Sequence, residues 1–144
     1  MREIKFRGKG INGEWYIGLL SISQGLKGQP PKGYYISNKA GMPWAYQVIP
    51  ETVGQYTGLK DKNGKEIYEG DILGLKVDGY WVAIGIVKYC GKKGSFFSGR
   101  YYLTGAEGYA SDWAYEDEGD PSKWHCNKVI GNIYENPDLM GKGE

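Results

Sequence analysis

The chain has 144 residues, and its 18 basic and 17 acidic residues give a formal net charge of +1 at pH 7. This balance, with no stripe of Lys and Arg, argues against strong non-specific nucleic-acid binding, which rests on many phosphate contacts, but it leaves a local patch open. No apolar run approaches a membrane span. Cys90 and Cys126 lie far apart with no signal peptide ahead of them, so we expect a cytoplasmic protein with reduced thiols.

Glycine and aromatic residues dominate the composition. The chain has 24 Gly, 13 Tyr and 5 Trp but only 3 Phe. Many glycines beside β-branched and aromatic residues are typical of short strands joined by tight turns. Tyr and Trp serve small β domains as amphipathic side chains, buried at the ring and hydrated at the polar tip. The alternative is a surface that stacks bases or sugars.

The first predicted element is an N-terminal hairpin. Residues 2–7 alternate in polarity, and Asn12-Gly13 fits a two-residue turn. The turn would place Phe6 opposite Leu19. A bulge or a longer loop around the nearby glycines is the alternative. One face of this hairpin would then be apolar, carrying Ile4, Phe6, Trp15, Ile17 and Leu19.

A polar loop rich in Pro and Gly follows at residues 24–33, and two short strands are predicted at 34–37 and 45–49. Residues 50–54 are the candidate boundary between halves, with room for a single helical turn. We therefore predict an N-terminal β subdomain over 1–50 and a C-terminal one over 51–144, or one compact unit built from both.

The central segment has the densest turn chemistry of the chain. Asn63-Gly64 fits a two-residue turn with positive φ at both positions. Gly70-Asp71 then opens an apolar strand, where the carboxylate would cap nearby backbone N–H groups.

Asp78-Gly79 predicts a second two-residue turn, which closes the central hairpin. Turn and apolar pattern give the same register. The predicted opposite pairs are Val77 with Tyr80, Leu75 with Val82, Leu73 with Ile84, Gly74 with Ala83 and Ile72 with Gly85.

Both faces of this hairpin carry apolar residues, so the second face must be covered by the N-terminal half or by another copy of the chain. Gly74 and Gly85 would leave a shallow groove on this second face, beside Trp81. We expect Trp81 to pack in a contact between subdomains or between subunits.

The remaining elements are a strand over 95–103, a polar excursion over 106–123 and a closing strand over 128–134. Asn136-Pro137 fits the start of a short helical turn. The predicted fold is mainly β: short antiparallel strands in two small subdomains, the second an SH3-like small barrel, with few helical turns.

The central residues also carry a family resemblance. Residues 52–58 (Thr-Val-Gly-Gln-Tyr-Thr-Gly), Asp61, Asn63-Gly64 and residues 67–72 (Ile-Tyr-Glu-Gly-Asp-Ile) resemble the signature of the YopX family of phage and prophage proteins. Residues 1–7 and 129–137 extend the resemblance to nearly the whole chain. It implies a small, mainly β protein encoded by a phage or prophage, and it implies no catalytic residues.

His125-Cys126 is the first candidate nucleophile. Adjacent strand residues point to opposite faces, so the pair is poorly arranged for a catalytic dyad, and a structural cysteine is the preferred interpretation. Zinc would need four ligands, and Cys90 adds only a third. The acidic residues within 112–120 are interpreted as a solvated loop that could hold a divalent ion only loosely.

Acidic residues near the central turn give two further candidates. A calcium loop starting at Asp61 fails, because Glu66 stands where glycine is required and Ile72 where a carboxylate is required. Glu69 and Asp71, two apart and therefore expected on the same face of one strand, could act as an acid–base pair, but a capping role for Asp71 is preferred.

We therefore predict a non-enzymatic accessory protein that acts through protein–protein contacts and self-assembly, with an unidentified phage or host protein as a further partner. The alternative is a small nucleic-acid-binding module; a hydrolase or metal enzyme ranks third. No cofactor or metal is predicted. The candidate binding residues are Tyr56, Tyr68, Tyr80 and Trp81, and the structural motif residues are Gly58, Asn63, Gly64, Gly70 and Asp71.

Overall fold

A computed structural model of the chain describes residues 3–37, 44–61, 63–77, 79–90, 95–98, 101–102, 114–115 and 128–140. For residues 75–77, 80–85, 90, 95–98, 101–102, 114–115 and 140, only the backbone is described. The chain divides into two compact units, Met1–Tyr56 and Thr57–Glu144.

The described elements are strands and two 3₁₀ turns, without an α-helix, so the prediction of a mainly β protein is confirmed. The strands form two antiparallel sheets. Five strands lie in the first sixty residues: β1 (Phe6–Lys9), β2 (Trp15–Ser23), β3 (Gly33–Ser37), β4 (Tyr46–Val48) and β5 (Gly54–Lys60). Seven follow: β6 (Glu66–Tyr68), β7 (Asp71–Val77), β8 (Tyr80–Cys90), β9 (Ser95–Ser98), β10 (Tyr101–Tyr102), β11 (Ala114–Tyr115) and β12 (Lys128–Asn132). The 3₁₀ turns are Pro50–Thr52 and Pro137–Met140.

The β1–β2 hairpin closes through a longer loop than the two-residue turn that was predicted. The Gly10 N–H donates to the Glu14 carbonyl at 2.7 Å, and the Gly13 N–H donates to the Gly10 carbonyl at 2.9 Å. Gly13 has a φ of 86°. These bonds define a three-residue loop ending in a left-handed glycine, so the longer-loop alternative is the one that forms.

The extra loop residue shifts the register of the first hairpin by one. Phe6 lies opposite Gly18, not opposite Leu19. The predicted apolar face is therefore wrong, because a one-residue slip moves side chains to the other face. Ile4, Ile17 and Leu19, which were predicted to share this apolar face, are 59%, 42% and 64% exposed.

Unit 1 has the strand order β4-β3-β2-β1-β5. Its core contains Ile36 and Val48, both almost fully buried. A Cβ at Gly8 would lie 3.0 Å from the Val48 Cβ and 3.1 Å from the Ile36 Cδ1, so the absence of a side chain at Gly8 permits this packing.

The edge strand β4 also reaches β1. An isolated bridge pairs Gly10 with Val48, and the Ile49 N–H donates to the Lys9 carbonyl at 2.8 Å. The buried Thr52 hydroxyl accepts the Lys9 N–H at 2.8 Å and donates to the Ile49 carbonyl at 2.6 Å. The predicted single helical turn thus forms at Pro50–Thr52, where it joins the end of β4 to β1.

In unit 2, β6 lies beside the end of β5, and the second sheet has the order β11-β10-β9-β8-β7-β12. The Asp78-Gly79 hairpin has the predicted register near its turn, from Val77 opposite Tyr80 to Gly74 opposite Ala83. A bulge between Leu73 and Gly74 then shifts the pairing. Beyond it the prediction is wrong: Leu73 lies opposite Gly85, and Ile72 lies opposite Ile86.

Two further predictions for this half need correction. The single strand expected over 95–103 is two strands, because β9 and β10 pair antiparallel with Tyr101 opposite Ser98. The described strands do not close into the predicted small barrel, since β11 and β12 remain at opposite edges of their sheet. The SH3-like comparison stays a prediction. Most of the predicted polar excursion, 106–123, lies outside the described residues.

A valine at Gly64 or Gly79 should destabilise the chain by about 1–3 kcal/mol, because a β-branched residue would be forced to positive φ. The two glycines have φ values of 83° and 84°, and no described atom lies within 4 Å of a Cβ placed there. The cost should therefore be backbone strain. Thermal unfolding of both variants is the test, and unchanged midpoints would contradict the left-handed conformation.

Candidate functional site: the signature loop and its surroundings

The family-like segment begins with a connection between β5 and β6. The buried Thr57 hydroxyl donates to the Ile67 carbonyl at 2.8 Å and accepts the Leu59 N–H at 3.2 Å. Gly58 lies between them with a φ of 85°, a conformation that glycine adopts without strain. Thr57 and Gly58 therefore shape the backbone here.

The loop after β5, from Asp61 to Lys65, is called the signature loop below. The Asp61 N–H donates to the Lys65 carbonyl at 2.8 Å, and the Gly64 N–H donates to the Asp61 carbonyl at 2.9 Å. The loop is thus one residue longer than the predicted Asn63-Gly64 turn. Gly64 is the left-handed residue that ends it, with a φ of 83°.

The Asp61 carboxylate lies inside this arrangement and is only 1% exposed. Its Oδ1 accepts the N–H groups of Asn63 and Lys65 at 2.9 and 3.0 Å. Its Oδ2 accepts the Val129 N–H of β12 at 2.9 Å. One carboxylate therefore ties the loop to a strand 68 residues further along the chain. Sequence reasoning tested Asp61 only as a calcium ligand and missed this role.

Gly70 and Asp71 form the second anchor of the segment. The Gly70 N–H donates to the Val87 carbonyl at 3.0 Å, and the Gly70 carbonyl accepts the Ile133 N–H at 3.0 Å. The buried Asp71 Oδ2 accepts the Tyr68 N–H at 2.8 Å, as expected of a capping Asp.

Glu69 and Asp71 were also considered as an acid–base pair. They do not share a strand, because Glu69 lies in the turn before β7, which begins at Asp71. The Glu69 side chain is half-buried, and the Asp71 carboxylate accepts the backbone N–H of Tyr68. This geometry corrects the premise that both acids face one side of a strand.

The aromatic candidates separate into two groups. Tyr56 and Tyr68 are only 4% and 3% exposed, so their burial argues against a stacking role. Tyr80 and Trp81 lie in β8 opposite Val77 and Lys76, and their side chains lie outside the described part of the chain. The expected packing of Trp81 stays a prediction, although the groove beside it changes because Gly85 is not opposite Ile72.

A stacked ring pair was not anticipated. The rings of Tyr16 and Tyr46 lie 4.1 Å apart between centroids with an angle of 9°. The Tyr16 hydroxyl accepts an N–H from the Asn12 side chain at 2.8 Å. No sequence signal pointed to this pair, because it depends on the way β4 meets the β1–β2 loop.

The nucleophile and metal candidates fall outside what the structure describes. His125, Cys126 and residues 112–120 lie in undescribed ranges, and Cys90 is described as backbone alone. Within the described ranges, no group of three or more His, Cys, Asp and Glu side chains could hold a metal ion. The described residues also include no helix of the length and hydropathy that crossing a bilayer requires.

Trp15, Ile17 and Leu19 form an apolar row on one face of β2, called the β2 stripe below. The three side chains point the same way because they are two residues apart on a strand. Leu19 is largely exposed, Ile17 is a little under half exposed, and Trp15 is half-buried.

Two of the cations next to the β2 stripe make contacts within the chain. Arg7 is buried, and its guanidinium carbon lies 5.1 Å from the Trp15 ring centroid. The Lys5 ammonium lies 3.3 Å from a Glu3 carboxylate oxygen and 5.0 Å from the Tyr56 ring centroid. Neither cation is presented as an open phosphate contact.

Comparisons with known proteins agree with the sequence signature. The family model described as YopX protein matches residues 5–141, which confirms the resemblance over nearly the whole chain. No curated protein matches. The crystal structure of protein EF1440 from Enterococcus faecalis is similar, with 24% sequence identity and a TM-score of 0.40. The similarity covers 97% of this chain and 99% of that chain.

Proposed function

The chain belongs to the YopX protein family, and from this premise we propose that it is a phage- or prophage-encoded accessory protein without enzymatic activity. It acts in the host cytoplasm through protein–protein contacts, including contacts between copies of itself. The carboxylates of the signature segment support a structural role: Asp61 and Asp71 are both buried and both accept backbone N–H groups. Carboxylates used in this way hold the fold together.

The observation that carries the proposal is the β2 stripe. Ile17 and Leu19 present two large aliphatic side chains to solvent from adjacent positions on one face of the sheet. Covering an apolar row of this kind with another protein surface is favourable, because apolar surface is removed from water. A rigid sheet also presents such a row with little conformational cost on binding.

The neighbours of the β2 stripe favour a protein surface over nucleic acid. Nucleic-acid binding by a small β module needs cations on the phosphates and exposed rings under the bases. Here Arg7 is buried against Trp15, and Lys5 contacts Glu3 and the buried Tyr56. The engagement of Arg7 and Lys5 within the chain thus favours apolar contact over phosphate contact at the stripe.

Self-assembly is tested by sedimentation velocity of the wild-type chain and of an Ile17→Ser/Leu19→Ser variant. We expect the wild type to sediment as a multiple of the chain mass. Because fully covering an apolar side chain is worth about 1.5–3 kcal/mol and these two are already partly covered, the double change should weaken self-association at least about tenfold. Thermal stability should change little, since exposed substitutions cost about 0.5 kcal/mol or less.

Ile11→Ser is the matched control, because Ile11 is also exposed but lies in the β1–β2 loop and does not belong to the stripe. It should leave the assembly intact. A wild-type chain that stays monomeric at all concentrations, or a double variant that assembles like the wild type, would contradict the proposal. Catalytic turnover abolished by changing Asp71 would contradict its non-enzymatic part.

A further inference from the structure

Along the β12 edge of the second sheet, side-chain oxygens accept backbone N–H groups. Among the described strands, β12 is the last beside β7, and an edge strand normally presents N–H groups to any passing strand. Two N–H groups of β12 are instead held by side-chain oxygens. The Val129 N–H donates to the Asp61 Oδ2 at 2.9 Å, and the Asn132 N–H donates to the Asn136 Oδ1 at 3.2 Å.

Asn136 is fitted closely to this edge. A Cβ at Gly131 would lie 2.6 Å from the Asn136 Oδ1, so the amide rests directly on the strand backbone. A bulge between Val129 and Gly131 further breaks the regular ladder. Bulges and inward-pointing polar side chains are devices by which proteins prevent sheet edges from pairing with other chains.

The β1–β2 loop has the same backbone form as the signature loop, without a carboxylate at the position of Asp61. In both loops the first residue donates its N–H to the fifth carbonyl, at 2.7 and 2.8 Å, and the fourth residue donates to the first carbonyl, at 2.9 Å. In both, the fourth residue is a glycine with positive φ. The residue in the place of Asp61 is Gly10, which has no side chain. What Asp61 adds, beyond its bonds inside the loop, is the bond to β12.

We propose that Asp61, together with Asn136, seals the β12 edge against strand pairing with a second copy of the chain, and that the seal holds only while the signature loop is closed. The Asn63 and Lys65 N–H groups fix Oδ1, which aims Oδ2 at Val129. The tip residues Asn63, Gly64 and Lys65 are exposed, so a ligand that reshaped the tip would withdraw the carboxylate and open the edge. This proposal does not depend on the β2 stripe.

The test uses Asp61→Asn, in which an amide oxygen still serves the loop while the amide nitrogen faces the Val129 N–H. All variants carry Ile17→Ser/Leu19→Ser, so that contacts through the β2 stripe do not contribute. We expect the Val129 amide to exchange with deuterium at least about tenfold faster, because a bond to a charged acceptor is lost. We also expect the sedimenting mass to rise with protein concentration.

Gly64→Val and Gly13→Val separate loop geometry from general destabilisation. Both place valine at the same position of equivalent loops, but only the first loop holds a carboxylate on β12. Faster Val129 exchange and association in Gly64→Val but not in Gly13→Val supports the proposal. Equal behaviour of the two, or wild-type exchange at Val129 in Asp61→Asn, overturns it.

Asn136→Ala keeps the proposal testable where an Asp61 or Gly64 variant does not fold. It leaves the signature loop unchanged and uncovers the Asn132 N–H alone. We expect faster exchange at Asn132 and concentration-dependent association in this variant. Faster exchange without association overturns the sealing role.

Discussion

A Gly70→Val variant is expected to lose about 2–6 kcal/mol of unfolding free energy, because it combines backbone strain of about 1–3 kcal/mol with overpacking of about 1–3 kcal/mol. Gly70 has a φ of 91°, which valine adopts only under strain. A Cβ there would also lie 2.9 Å from the Tyr134 Cε2. Because Gly70 bonds to both Val87 and Ile133, a shift of its backbone would disturb two further segments. Urea unfolding measures the loss.

Gly64→Val is the matched control for this experiment. Gly64 has a similar φ of 83°, but no described atom lies within 4 Å of a Cβ at that position. The difference between the two variants therefore isolates the contact with Tyr134. Adding Tyr134→Ala to each variant should narrow the gap, since the clash is removed. Equal losses for Gly70→Val and Gly64→Val would show that the Tyr134 ring moves aside freely.

The positions of the turns were readable from the sequence, but their lengths were not. Asn12-Gly13 and Asn63-Gly64 suit both a two-residue turn and a three-residue loop that ends in a left-handed glycine. The choice depends on side-chain bonds in the folded chain. The Asn12 Oδ1 accepts the Glu14 N–H, and the Asp61 Oδ1 accepts the Lys65 N–H. Polarity alternation near Gly8 and Gly10 was too weak to decide the register.

In the central hairpin, the apolar pattern predicts the register on only one side of the bulge. Its register is correct from the turn to Gly74, because a two-residue connection and alternating apolar residues agree there. The bulge after Leu73 lies where Gly74 and Gly85 have no side chains, so the alternation carries no signal of the slip. Agreement between the turn length and the apolar pattern near a turn therefore does not predict the register beyond glycine residues.

The candidate site likewise contains some features that the sequence predicted and others that it did not. Gly58, Gly64 and Gly70 were readable as structural residues, since glycine in a turn-rich segment signals positive φ, and all three have it. The bond from Asp61 to Val129 was not readable, because it joins positions 68 residues apart that only the folded chain brings together. Likewise, the exposure of the β2 stripe followed from the register shift.

An Asp61→Ala variant is expected to lose about 3–5 kcal/mol of unfolding free energy, because bonds to a charged acceptor are worth about 1.5–3 kcal/mol each and three backbone N–H groups lose theirs. The sum falls short of three full contributions, since water can reach the exposed Asn63 and Lys65, whereas Val129 loses a buried acceptor. Urea unfolding of the Ala and Asn variants side by side is the measurement. Asp61→Asn should lose clearly less, because an amide oxygen still accepts the loop N–H groups. If the Ala variant unfolds within about 1 kcal/mol of the wild type, the scale of a single ordinary hydrogen bond, then Asp61 does not join the loop to β12.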